Sequence, residues 1–490
     1  ISHAAEEHRF LHRDPKAISL EALRKQRSAI LSQLRQQLPY ISVDWSDAAV
    51  FKPVPSEPIV VCRSMAAPVL IALRNRSEID LSLTLPPNGR TAHIKAGSEI
   101  TVLCEVLVDE LMQVSDGITI PLAKVSGEDK ERRVEVPIRL AQAAVVRGTV
   151  RDGSTIIPAR VTILCSDGVC RYGGEFATKS TFTDKPIIYP PIGTWRKNTF
   201  FYTDGTFVIE VPPGATQITV ERGFEHKPQT IDLMLDAGQL KDVELGCQEL
   251  IDMSAQGWIS GDTHVHWVTN AWNVDEPLSL LSMVQKAEDL RVANNLTLLQ
   301  RYADQAFIKP SQAPMGPIPQ YSNSRFHMQI GEEYRNEDLY GHLCFLNIDW
   351  LVQPIGTGSI IAGPDALDYP INRTAIDDCR QQGGISIEAH GTGGNKDVPI
   401  YVIHGLVDSL DQLEPEMYYR LLDCGFQLPL TNGSDHPART LGIARAYVQV
   451  DGPFTYDGWI EGIRRGRTFT TSGPLIFLDV NDASIGDVIH

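Results

Sequence analysis

The chain has 490 residues, 42% of them hydrophobic and 21% charged, a composition that supports several buried cores and excludes global disorder. Its 44 Lys+Arg against 61 Asp+Glu leave a net charge of −17, so a nucleic acid or an anionic membrane is an unfavourable partner. No apolar run approaches the roughly 18 residues of a membrane-spanning helix.

The sequence begins at Ile1 rather than Met and stops at His490. The true start is expected to lie before Ile1 and the C-terminus to be incomplete, which leaves room for a signal or targeting segment without showing one. A periplasmic or extracellular location is slightly favoured over a cytoplasmic one. The eight cysteines include no Cys-x-x-Cys pair, which excludes a zinc ribbon and a dense disulfide framework. Cys165 and Cys170 flank a turn-like Ser-Asp-Gly and are read equally well as a bridge or as free thiols.

The first segment, 1–40, is helical: Asp14-Pro15 caps and starts a helix, and Leu20, Leu23, Ile30, Leu31, Leu34 and Leu38 recur at helical spacing until Pro39. Its other face mixes charge signs, so it is expected to pack on the next domain. From 41 to 145 the pattern becomes short β-branched runs, such as Ile59-Val60-Val61 and Ile100-Thr101-Val102-Leu103, with a Pro86-Pro87-Asn88-Gly89 turn between; this predicts an all-β sandwich. A second sandwich is predicted over 146–250, where the Asp152-Gly153 and Asp204-Gly205 steps read as hairpin turns. Its Pro158-Ala159-Arg160-Val161 strand and its Asp204-Gly205-Thr206-Phe207 to Pro212-Pro213-Gly214 stretch resemble the transthyretin-like or carboxypeptidase-regulatory β-sandwich. Both modules are read as packing or positioning units.

Over 251–490 strand-like pieces alternate with helical stretches, which argues an α/β barrel with parallel strands and puts catalytic groups at strand ends. The first such strand ends in Gly261-Asp262-Thr263-His264-Val265-His266. Residues i and i+2 of an extended backbone share a face, so both imidazoles can reach one metal. The design then recurs. Ile330-Gly331-Glu332-Glu333 closes one apolar run, Gly341-His342 opens another, a third ends in His390 and a fourth in Ser434-Asp435. Imidazoles and carboxylates are the ligands that Zn, Mn or Fe ions take when they activate water.

Together these stretches resemble the polymerase and histidinol phosphatase (PHP) superfamily of metallohydrolases, most of all its carbaryl-hydrolase-like CehA/McbA branch, over roughly half the chain. The resemblance implies a distorted barrel, PHP-type, and one or two divalent metal ions. A first ion would take His264, His266, Glu333 and Asp435; a second would share Glu333 and add His342 and His390. The third metal of some members is not expected, because Asn294, Asn295, Asn270, Asn273 and Pro437 stand where those use histidines. Asp435 is the expected general base, Asp262 a partner orienting an imidazole, and Arg445 and Arg439 are the nearest candidates to stabilise charge on substrate oxygens. His436 is expected to point away. The reading is a metal-dependent hydrolase acting on a small-molecule ester, either a phosphoester or a carbamate or carboxylic ester, and compatible with a homo-oligomer. The alternative is a catalytically inactive PHP-fold binding or assembly protein.

Overall fold

The computed structural model describes residues 40–45, 50–53, 59–62, 66–85, 90–107, 117–124, 132–171, 192–195, 198–267, 278–298, 315–336, 340–353, 371–391, 397–436 and 439–478, with isolated residues on either side. The helix expected between Asp14 and Pro39 lies outside the described residues, apart from helical positions 28, 31 and 32.

The architecture is mostly β, with several small sheets followed by one large, nearly closed mixed sheet and its helices. In the first part, Val50–Pro53, Tyr40–Trp45, Ala66–Asn75 and Glu99–Leu107 form a four-stranded sheet, and a five-stranded sheet is built around Gly117–Lys124 and Arg132–Ala141. Further along, two more sheets fill one core. Val146, Val150, Ile209 and Val211 come from one, Val161, Ile163, Ile218 and Val220 from the other. The strict exposed-buried alternation of Thr206–Val211 shows why: period-two patterning sends every second side chain inward. Cys165 and Cys170 are not joined by a disulfide.

The large sheet holds β1 (Trp258–Val265), β2 (Val292–Leu298), β3 (His327–Asn336), β4 (Gly341–Leu346), β5 (Ile385–Glu388), β6 (Ser409–Asp411), β7 (Leu430–Thr431), β8 (Arg445–Gln449) and β9 (Thr468–Thr471). Their spatial order is β7-β6-β5-β4-β3-β2-β1-β8-β9. Strands β1, β2 and β3 are parallel, as are β5, β6 and β7, while β4 runs antiparallel to both β3 and β5. Six strands therefore finish at the same end of the sheet, and β4 begins there. The segment after β7 is stitched back to β1 by a parallel bridge between Val265 and His436, with the His266 amide donating to the His436 carbonyl at 2.8 Å. All of β1 is buried, as parallel strands covered on both faces are.

A helix, α1 (Leu278–Ala287), joins this sheet to the preceding β unit: Phe200 and Tyr202 share a core cluster with Leu280, Leu281, Val284 and Ala287, and also with Val265 and Trp267. Buried charges ring the seam. Glu288 accepts hydrogen bonds from Arg160 Nη1 at 2.9 Å and from the Tyr202 hydroxyl at 2.7 Å. Asp289 accepts from Arg222 and Arg325 at 3.2 and 3.1 Å, and Glu225 from the Tyr447 hydroxyl and the Met253 amide, both at 2.9 Å. Removing one partner of such a pair leaves the other charged and dry. Glu288→Gln is therefore expected to cost about 3–5 kcal/mol, read as a lower urea midpoint. Arg147→Ala, which breaks the exposed pair with Asp242, should leave that midpoint where it was.

Candidate metal centre

The six residues that the sequence singles out for a metal meet at the end of the large sheet where six strands finish. His264 lies in β1 and His266 follows it; Glu333 lies in β3, His342 at the start of β4, His390 just past β5 and Asp435 past β7. His264 Nε2 and His266 Nε2 are 3.0 Å apart, and His266 Nε2 is 3.0 Å from Glu333 Oε2. The other Glu333 oxygen is 2.9 Å from His342 Nδ1 and 3.0 Å from His390 Nε2. Asp435 Oδ1 stands 3.5 and 3.4 Å from the nitrogens of His264 and His266, and Oδ2 is 3.7 Å from His390 Nδ1. Three overlapping trios, His264/His266/Glu333, Glu333/His342/His390 and His264/His390/Asp435, each bring their ligand atoms within 4.8 Å of one another.

The ring orientations follow from what lies behind them. His266 Nδ1 is 3.2 Å from the Leu296 carbonyl, so that nitrogen carries the proton and Nε2 faces the cluster. His264 Nδ1 meets Cys344 Sγ at 3.5 Å, leaving its Nε2 turned inward as well. Burial pushes His264 down to about 4 and keeps it neutral. Burial also works against the His266 imidazolium, but Glu333 and Asp435 flank it and raise it to about 9. Glu333 is held well below the usual carboxylate range: burial opposes its charge, and Arg335 with the histidines outweighs it. The cluster thus gathers anionic and lone-pair groups around a point that calls for positive charge. That donor set, four imidazoles and two carboxylates, fits a borderline divalent ion such as Zn, Mn or Fe.

Main-chain geometry at the two loop ligand candidates is unusual. His390 and Asp435 have φ of 65° and 52°, a left-handed conformation that non-glycine residues adopt at some cost and that recurs at functional sites. Asp262 supports it. Its carboxylate accepts from the amides of His264, Ser434 and Gly442 at 3.1, 2.9 and 2.9 Å, so it ties β1 to the loop of Asp435. The expectation that it orients an imidazole is corrected: all three donors are main-chain amides. Asp411 does similar duty, accepting from the Thr263 hydroxyl and the Gly433 amide, both at 2.8 Å.

Arg445 is not brought to the cluster. At the first position of β8 it is fully buried, donates to the carbonyls of Gly442 and Glu288 at 2.7 and 3.1 Å, and packs 4.1 Å over the Phe224 ring. The arginine that does reach the site is Arg335, whose Nε and Nη2 donate to Glu333 Oε2 at 2.9 and 2.7 Å. Its signal in the sequence is the Glu333-x-Arg335 spacing, which puts both side chains on one face of β3. His436 points away, stacked on Trp267 at 5.3 Å. Of the asparagines in place of third-metal histidines, Asn295 accepts from the Trp267 amide at 2.9 Å, and Asn294 links the Asp262 carbonyl to the Tyr456 hydroxyl. Asn270, Asn273 and Pro437 lie outside the described residues.

What the fold and the site define is a cluster of His, Asp and Glu residues able to coordinate a divalent metal ion, on a β-rich, partly α/β chain. No protein-family model and no curated protein matches the chain. Among solved structures it is similar in part to the TIE protein of Bacillus anthracis, at 8% identity over 46% of this chain and 34% of that one, with a TM-score of 0.16. It is also similar to BcpA, the major pilin subunit of Bacillus cereus, at 12% identity over 38% and 56% of the two chains, with a TM-score of 0.17. The chain thus spans about a third and about half of those two proteins, and alignments at these scores define neither a fold nor an activity.

Gly433 makes the closest approach in the site. A Cβ there would lie 2.4 Å from His264 Cβ and 2.6 Å from its amide nitrogen. Gly433→Ala is expected to push the Asp435 loop off β1, lowering both the melting temperature and the metal content measured by elemental analysis.

Proposed function

We propose that the chain is a metal-dependent hydrolase of the PHP type, with its 251–490 region a distorted barrel of the carbaryl-hydrolase-like branch behind β-sandwich modules at 41–145 and 146–250. The observation that carries this reading is the meeting of His264, His266, Glu333, His342, His390 and Asp435 at one sheet end. In this reading His264, His266, Glu333 and Asp435 hold one ion, and Glu333, His342 and His390 a second. A divalent ion held by these residues would supply Lewis acidity and bring the pKa of water toward neutrality.

The residues divide the remaining work by exposure. The side chains of His264 and Glu333 are fully buried, whereas those of Asp435 and His390 are 24% and 26% exposed. Water and substrate therefore arrive past Asp435 and His390. Asp435 is kept anionic: burial opposes its charge, and the hydrogen bond from His266 with the nearby His264 and His390 lowers its pKa below the ordinary carboxylate value. It takes the proton of the attacking water and, as the exposed carboxylic acid, can return it to the leaving-group oxygen. Arg335 keeps Glu333 charged and fixed. The substrate is a small phosphoester or a carbamate or carboxylic ester.

Elemental analysis of the purified protein should find one or two equivalents of Zn, Mn or Fe. A panel of activated phosphoesters and aryl carbamates should be turned over, with activity lost on chelation and restored by adding the metal. His264→Ala should lose metal and turnover together. Tight metal with no turnover of any ester would instead favour the binding or assembly protein. In Asp435→Asn, kcat should fall by about 10²–10⁴ while at least one metal equivalent remains.

A further inference from the structure

We infer that a pocket beside the cluster receives an anionic end of the substrate, anchored by Arg439; this rests on the hydrolase reading and narrows its substrates to esters bearing a carboxylate or phosphate away from the bond that breaks. The pocket is a cavity of about 350 Å³, near the lower end of the ~300–1,000 Å³ typical of ligand sites. It opens at the sheet end that carries the metal-ligand candidates. Thr431 ends β7 and Asn432 follows it, Gln412 follows β6, Ala444 precedes β8 and Ser472 follows β9. Since β8 is antiparallel to β1 and β9 to β8, all of these points lie where β1, β3 and β5 finish. Gln412 is the shared wall. Its amide donates to the Gly433 carbonyl at 3.1 Å, and its main chain packs against Gly391 so closely that a Cβ there would lie 2.7 Å from the Gln412 oxygen. Gly391 follows His390, and Gly433 precedes Asp435 by two residues, so the pocket adjoins both loops.

Its chemistry is that of an anion receptor. Arg439 is the only charged side chain among the lining residues, and hydroxyls of Thr431, Thr470 and Ser472 accompany it over an apolar floor that includes Leu430 and Ile443. Every other described arginine from residue 251 onward has a carboxylate or carbonyl partner: Arg291 and Arg325 on Asp289, Arg335 on Glu333, Arg373 on Asp377, Arg380 on two carbonyls, Arg420 on Glu416, Arg445 on Glu288, and Arg464, Arg465 and Arg467 on Glu461 or Asp451. Among the described residues Arg439 has none. On a chain of net charge −17, an arginine left without an acid in a concave site is complementary to a ligand's oxyanion, which its fork can bind by two parallel hydrogen bonds. A ligand oxyanion beside Arg439 supplies the acid that this guanidinium lacks.

The test pairs binding with kinetics on the metal-loaded protein. Calorimetry with succinate and with inorganic phosphate should show binding that weakens about tenfold or more in Arg439→Ala, and less in Arg439→Lys, which keeps the charge but loses the fork. Between para-nitrophenyl hemisuccinate and para-nitrophenyl acetate, which share a leaving group, wild type should favour the hemisuccinate in kcat/KM, and Arg439→Ala should lower that preference by about tenfold. Equal anion affinity in wild type and Arg439→Ala, or an unchanged ester preference, overturns the pocket. If neither these esters nor the phosphoesters and carbamates of the panel are turned over yet the Arg439-dependent binding is seen, the pocket stands as an anion site and the hydrolase reading falls.

Discussion

Buried lone pairs and carboxylates repel one another unless positive charge lies between them, and that constraint organises the large sheet. Glu333 is the pivot. Its two oxygens are approached by four imidazoles and by the Arg335 guanidinium, all on a side chain with no exposure to solvent. No single strand could supply such a group, because neighbours along one strand face differ by two residues and soon leave the site. The chain instead draws the members from β1, β3, β4 and the ends of β5 and β7, which is workable only because parallel strands end together and the reversed β4 begins where they end.

Main-chain hydrogen bonding keeps this costly convergence in register. Asp262 and Asp411, both fully buried, spend their oxygens on amides and a hydroxyl of β1 and the Gly433–Ser434 segment. Burial raises both carboxyls above the ordinary value, Asp411 to about 6. They are structural braces under a charged floor. The left-handed φ of His390 and Asp435, worth on the order of 1–3 kcal/mol of strain each, persists because Gly391 is wedged against Gln412 and Gly433 against His264.

Much of this was legible in the residues. The His264-x-His266 pair could be read because period-two geometry is local, and the strand-end placement of Glu333, His390 and Asp435 followed from apolar runs ending in polar residues. Choosing Glu333 over Glu332 needed the resemblance; the structure shows the neighbour turned the other way, accepting from the Val352 amide at 2.8 Å. Arginines were the weak point. A guanidinium at a strand start can face either side of the sheet, and Arg445 faces the seam with Glu288, whereas Arg335 was overlooked although it stands two residues from Glu333. The sequence pairs Asp262 with a neighbouring imidazole because it shows neighbours along the chain, not which amides lie unpaired nearby in space.

The seam around α1 has a bearing on how the polypeptide can be divided. Phe200 and Tyr202 belong to the same apolar cluster as Val265 and Trp267, the residues either side of His266. The β unit before residue 250 therefore backs the wall from which that imidazole projects. A fragment starting at Ile251 would bare Leu280, Leu281 and Val284 to water and strand Glu288 without Arg160 and Tyr202. The half that carries the cluster is not an autonomous cassette: part of its own core is supplied by strands that precede residue 250.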